Sequence, residues 1–171
     1  LFSQMTSLII TAAGKASRFH DVGYDQPKYL LPWINSKSIL HNIINELTST
    51  NLIEYVLVIA NNREIYFKDK IEEELPKNIN SKVLFVRDTM GQAHTTLLAI
   101  EDIIKSGLGN KSIIVHNSDT ILMNRDISKL TKFSDEENLI GYIDTFQSNN
   151  NKYSYVLESN GVLKKFLEKE T

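Results

Sequence analysis

The chain has 171 residues, no cysteine and a net charge of −2, with 42% apolar and 23% charged residues. That length buries roughly 70% of an unfolded chain's surface, and the composition is that of one globular domain rather than a disordered segment. The missing thiols exclude disulfides, thiolate metal sites and a cysteine nucleophile, and the near-neutral charge suggests no nucleic-acid or membrane-surface partner. No apolar run approaches a membrane span. The opening residues 1–7 lack the basic and apolar regions of a signal peptide. Absence of cysteine also fits a reducing compartment, so a cytoplasmic location is the expectation.

In chain order, Ser7–Thr11 reads as a fully buried strand, a short apolar run ending in small residues. A long loop over 12–37 follows, punctuated by Gly23, Pro27 and Pro32. Loops of that length in a compact domain are usually functional. Its aromatic residues Phe19, Tyr24, Tyr29 and Trp33 argue against disorder. Ser38 is placed to cap a helix carrying Ile39, Leu40, Ile43, Ile44 and Leu47 at helical spacing. Glu54–Ala60 is a second buried strand. Arg63–Leu75 reads as one helix closed by Pro76. Lys82–Val86 is a third strand. A turn at Met90-Gly91-Gln92-Ala93 opens a helix to about Ile104, ended by Gly107 and Gly109. Ser112–His116 is a fourth strand, running into Asn117-Ser118-Asp119. A short helix is expected over Asp126–Phe133, a fifth strand over Leu139–Asp144 and a polar loop over Ser148–Lys152. Asn160-Gly161 then joins Tyr153–Glu158 to Val162–Leu167 as a hairpin with a type I′ turn.

Strands alternating with helices imply an α/β fold: a Rossmann-like, mainly parallel sheet flanked by helices, with a C-terminal β-hairpin. Such sheets bind ligands beyond the carboxyl ends of their strands. Three conspicuous turns fall there: Ala12–Arg18, Met90–Ala93 and Asn117–Asp119. In the first, Ala12, Ala13, Gly14, Ala16 and Ser17 leave room for a ligand to approach main-chain N–H groups. Arg18 and Lys28 add two cations beside them, the chemistry a polyphosphate needs. Two familiar phosphate loops do not fit. A dinucleotide fingerprint wants glycine at 16 and 19, where Ala16 and Phe19 stand. A Walker A loop wants Ser or Thr after Lys15, where Ala16 stands.

Ala13-Gly14-x-Ala16-Ser17-Arg18-Phe19, followed by Gly23-Tyr24-x-x-Pro27-Lys28-x-Leu30, resembles the signature of the sugar-phosphate nucleotidyltransferases. Those enzymes join a nucleoside monophosphate from an NTP to a phosphorylated sugar or alcohol and release pyrophosphate. Ala16 stands where the family usually has glycine. The resemblance implies phosphate roles for Arg18 and Lys28, and a nucleoside framed by Ala12, Ala13, Gly14, Gly91, Gln92 and Asn117. It implies a Mg²⁺ cofactor on Asp119, because Ile113–Asp119 is similar to the family's apolar strand ending in Gly-Asp. Taken alone, a strand-end aspartate is more commonly a cap or turn residue. Met90–Ala93 is similar to the family's Gly-Thr-Ala segment, with Gln92 in place of threonine. Val162–Lys169 is similar to the family's Val-x-x-Phe-x-Glu-Lys-Pro strand, which implies that Glu168 and Lys169 hold the acceptor, with Ser154 at the position of the family's sugar-contacting glycine. His94 and His116 pair with no nucleophile and read as structural or surface histidines.

The resemblance spans nearly the whole chain and implies a single catalytic domain over 1–171. The family's second metal-binding aspartate lies past the Glu-Lys strand, so the resemblance also implies that the domain's C-terminal part is lacking. The partners it implies are an NTP and a phosphorylated small molecule, with a homo-oligomer as a further expectation. The activity it implies is transfer of NMP to a sugar 1-phosphate. The alternatives are a cytidylyltransferase for a phosphorylated alcohol such as phosphocholine, and a non-catalytic nucleotide-binding regulatory domain.

Overall fold

A computed structural model describes residues 6–14, 23, 25–109, 111–123, 126–129, 141–150 and 153–167. They belong to two compact units, Leu1–Glu137 and Asn138–Thr171.

Among its described residues the first unit has four strands: β1 (Thr6–Ala12), β2 (Ile53–Asn61), β3 (Asn80–Val86) and β4 (Ser112–Asn117). They lie in the order β3-β2-β1-β4, and every pairing is parallel. The central pair, β1 and β2, carries the most apolar sequence and is almost wholly buried, as strands covered on both faces must be. Alternation divides their side chains between two layers. Leu8, Ile10, Val56 and Val58 face a core shared with Leu40, Ile43, Ile44 and Leu47 of helix α1 (Ile39–Thr48). Ile9, Leu57 and Ile59 face Ala99 and Ile103 of helix α3 (Gln92–Lys105). The expected mainly parallel, helix-flanked sheet is therefore present.

Ser38 caps α1 as its position predicts, its hydroxyl accepting from the His41 amide at 2.9 Å. The single helix expected over Arg63–Leu75 is two pieces. A 3-10 segment, Asn62–Phe67, precedes α2 (Lys68–Glu73), and Phe67 breaks helical geometry between them at φ −98°, ψ 9°. The Asn61 side chain accepts from the Arg63 amide at 3.0 Å and starts the tighter winding. Asp126 accepts from the Ser128 hydroxyl and from the Ser128 and Lys129 amides, bonds that hold its carboxyl below the usual range. Residues 127–129 are helical, and the rest of that expected helix lies outside the described residues.

The second unit contains β5 (Tyr155–Ser159) and β6 (Val162–Leu167), paired antiparallel. Asn160 and Gly161 both have positive φ, at 52° and 73°, as a type I′ turn requires. The Tyr155 hydroxyl donates to the carbonyls of Ser148 and Asn150, tying the preceding polar loop to the hairpin. The fifth strand expected over Leu139–Asp144 is not borne out in its described part. Residues 141–144 have no regular secondary structure and are exposed, with Tyr142 at 45% and Ile143 at 51%. Apolar alternation alone does not make a strand, which also needs a paired neighbour.

Candidate functional site

Because all four strands of the first unit are parallel, the turns that leave them gather at one edge of the sheet. Ala13 and Gly14 leave β1, and Asn61–Arg63 leave β2. Arg87–Gly91 follow β3, and Asn117–Asp119 end β4. A Cβ built on Gly14 or on Gly91 meets nothing within 4 Å. Among the described residues, packing therefore does not demand glycine at either place. Gly91 also has φ +133°, which L side chains rarely adopt, so backbone conformation accounts for the residue there.

Lys28 sits in a 3-10 turn, Lys28–Leu30, set by Pro27 before it. The turn is anchored by its neighbour. Tyr29 is buried to 1% exposure in the main core, and its hydroxyl donates to Glu64 Oε2 at 2.7 Å. Burial, then the Glu64 carboxylate and its hydrogen bond, push the Tyr29 phenol far above its ordinary range. A fixed neutral phenol thus holds the backbone from which Lys28 projects.

Asp119 leaves β4 through Ser118, which is buried at 3%, while the Asp119 side chain is half exposed. The Lys28 ammonium reaches it, Nζ to Oδ2 at 2.5 Å. Two residues singled out separately in the sequence therefore meet. Beside them Gln92, first residue of α3, donates through Nε2 to Thr11 Oγ1 at 3.3 Å and to Asn117 Oδ1. The Thr11 hydroxyl donates in turn to the His116 carbonyl at 3.2 Å. Gln92 so bridges β1, β4 and the start of α3. His94 accepts from the Met90 amide at 3.2 Å through Nδ1, a local structural role like the one read for it.

A second cluster was not singled out in the sequence. Asp88 receives Arg63 at 2.8 Å and Asn61 Nδ2 at 3.0 Å, while the same Asn61 nitrogen lies 3.4 Å from the Ala13 carbonyl. The first small-residue turn is thus tied to the ends of β2 and β3. Gly14, Pro27, Asn61, Arg63, Glu64 and Phe67 line a concavity next to it. The only signal for these residues was their position at strand ends. Asn61 and Asp88 are short polar residues that occur at any turn.

Among the described residues no three His, Cys, Asp or Glu side chains group as a metal cage, and no helix is long and apolar enough to cross a membrane. A single strand-end carboxylate nevertheless fits Mg²⁺, which takes one or two carboxylates and completes its shell with phosphate oxygens and water. The donor set suits a metal that arrives with a nucleotide. Arg18, Glu168 and Lys169 lie outside the described residues. Ser154 is exposed, immediately before β5 in the second unit.

The sequence profile of the nucleotidyl transferase family matches residues 7–170. No curated protein sequence matches significantly. Among solved structures, the fold is similar to a nucleoside-diphosphate-sugar pyrophosphorylase from Vibrio cholerae, at 24% identity and TM-score 0.68, over 97% of this chain and 67% of that one. A UDP-glucose pyrophosphorylase complexed with UDP-glucose is similar at 17% identity and TM-score 0.67, over 97% of this chain and 69% of that one. A 4-diphosphocytidyl-2C-methyl-D-erythritol synthase from Anaerococcus prevotii is similar at 13% identity and TM-score 0.58, over 94% of this chain and 63% of that one. The chain spans about two thirds of the length of these structures. Parallel strands, small-residue turns and a family profile matched from β1 past β6 agree, and the chain belongs to the nucleotidyl transferase family.

Proposed function

We propose that this chain is a Mg²⁺-dependent nucleotidyltransferase that moves NMP from an NTP to a sugar 1-phosphate and releases pyrophosphate. The observation that carries this reading is the meeting of Lys28, from the turn after Pro27, with Asp119, just past the end of β4. The main chain of Ala12–Gly14 and Gly91 frames the nucleoside, where a missing Cβ permits close approach. Asn117 and Gln92, joined to each other, define the floor between β1 and β4. Lys28 neutralises charge near the α-phosphate, and Arg18 binds the β- and γ-phosphates and the leaving pyrophosphate. Asp119 would hold the magnesium ion, which supplies charge neutralisation on phosphate oxygens. Glu168, Lys169 and Ser154 hold the acceptor. The acceptor phosphate attacks the α-phosphorus, the bond to the β-phosphate oxygen breaks, and no covalent enzyme intermediate is needed. Catalysis then consists of positioning and electrostatic stabilisation.

The test is pyrophosphate release from ATP, CTP, GTP, UTP and dTTP with Mg²⁺, each against sugar 1-phosphates, phosphocholine and methylerythritol phosphate. Release with one NTP and a sugar 1-phosphate is the expected result. Release only with CTP and a phosphorylated alcohol moves the assignment to the second reading, which the similarity to a diphosphocytidyl-methylerythritol synthase and the serine at position 154 favour. Nucleotide binding with no release in any pairing overturns the enzyme in favour of a regulatory nucleotide-binding domain. Arg18→Ala is expected to lower turnover about a hundredfold or more, as loss of one charge-stabilising donor does elsewhere. Near-normal turnover of that variant would remove Arg18 from the mechanism.

A further inference from the structure

Lys28 and Asp119 stand 91 residues apart in the sequence and are joined by a contact of 2.5 Å. Under the functional reading above, on which this inference rests, the two side chains serve different ligands: the ammonium a phosphate, the carboxylate a metal ion. Neither is free to do so while it holds the other. A divalent cation on the Asp119 carboxylate weakens the ammonium's hold on it, because the two cations repel at that distance. An ammonium released into the open lacks a partner until an anion replaces the carboxylate.

We propose that Lys28 is a placeholder for the metal. Its ammonium occupies the Asp119 carboxylate and opposes binding of a divalent cation alone. A polyphosphate gives that ammonium a new anionic partner and so frees Asp119. The two ligands therefore promote each other's binding through one ion pair, beyond the affinity they have for each other in solution. The geometry suits an exchange. The Lys28 side chain is 25% exposed and that of Asp119 49%, so both reach solvent and a ligand without unfolding anything. The backbone behind Lys28 is held by the buried Tyr29, so the exchange needs only side-chain rotation. An ion pair this exposed is also weak enough to be displaced.

The probe is Mn²⁺ alone, its binding to the 171-residue chain measured by calorimetry or electron paramagnetic resonance. Removing the placeholder in Lys28→Met is expected to tighten Mn²⁺ binding about two- to tenfold, the range that breaking a partly exposed pair allows. Lys28→Gln serves as a second variant, and a thermal melt checks that both are folded. In an Asp119→Asn background the same lysine change is expected to have no effect on Mn²⁺. A general repulsion by Lys28 would persist there, and finding it would overturn the proposal. The enhancement of Mn²⁺ binding by inorganic tripolyphosphate is expected to shrink in both lysine variants, since coupling between two ligands is reciprocal. Equal or weaker Mn²⁺ binding in both folded variants overturns the exchange. If the wild-type chain still releases pyrophosphate, the enzyme assignment survives that failure. A wild-type chain that binds neither Mn²⁺ nor tripolyphosphate overturns both.

Discussion

Gly91 carries two properties of the site in one residue. Its φ of +133° favours glycine, and no described atom lies where a side chain would point. Gly91→Ala is therefore expected to destabilise the chain by about 1–3 kcal/mol through backbone strain rather than collision, and to weaken nucleotide affinity as the new methyl enters that space. Chemical denaturation and nucleotide titration on the same variant separate the two losses. A variant of unchanged stability would mean that the turn relaxes to another conformation. At this scale the sequence was informative where a residue type has one strong reason to be present. Gly14, Gly91, Lys28 and Asp119 could each be singled out, since a missing side chain or a placed charge is visible in the letters. That Lys28 and Asp119 touch was not visible, because the contact depends on a turn and a strand end 91 residues apart. Asn61, Arg63 and Asp88 were missed for a related reason. Their significance is a shared network, and nothing in any one of them announces it.

The elements were legible in proportion to how strongly local chemistry and burial agreed. β1 and β2 are apolar runs buried on both faces, and α1 has a capping serine ahead of apolar residues at helical spacing. Ser38→Ala is expected to cost about 1 kcal/mol by leaving the His41 amide without its side-chain partner. A Ser38→Asp variant restoring most of that stability in a denaturant titration would identify the cap as the cause. The hairpin was equally readable, since Asn-Gly fixes both the turn and its handedness. Two expectations failed at places where periodicity had no local constraint behind it. The segment from Asn62 contains apolar residues at helical spacing, yet the Asn61 side chain winds its start into a 3-10 turn. Residues 141–144 have the composition of a strand but no regular secondary structure. Pattern gives the form that a segment favours if it is partnered, and partnership is decided elsewhere in the chain.

For the molecule as a whole, two tyrosines set the expected response to alkali. Burial pushes the Tyr29 phenol upward, with the Glu64 carboxylate adding to it, and burial followed by the Asp102 carboxylate raises Tyr55 in the same direction. In both, the folded state favours the neutral phenol over its ordinary pKa of about 10. Stability from this source is complete below about pH 10. It falls as pH rises further, because the unfolded chain then releases protons that the folded chain retains. Unfolding free energy measured from pH 8 upward is expected to be flat and then to decline past about pH 10. Tyr29→Phe is expected to make that decline shallower while lowering stability at neutral pH through the lost bond to Glu64. An equally steep decline in Tyr29→Phe would place the alkaline loss in other groups.

The strand order β3-β2-β1-β4 also has a consequence in time. Of these four strands β1 is synthesised first, and it pairs with β2 on one side and β4 on the other. His116 of β4 follows Thr11 of β1 by 105 residues. At the usual pace of translation, roughly 5–20 residues per second, that gap lasts roughly 5 to 20 seconds. Through that interval one of the most apolar strands in the protein leaves the ribosome with an open hydrogen-bonding edge, the kind of surface that captures other chains. Among the four described strands, β1 is thus the one whose inner edge waits longest for its partner.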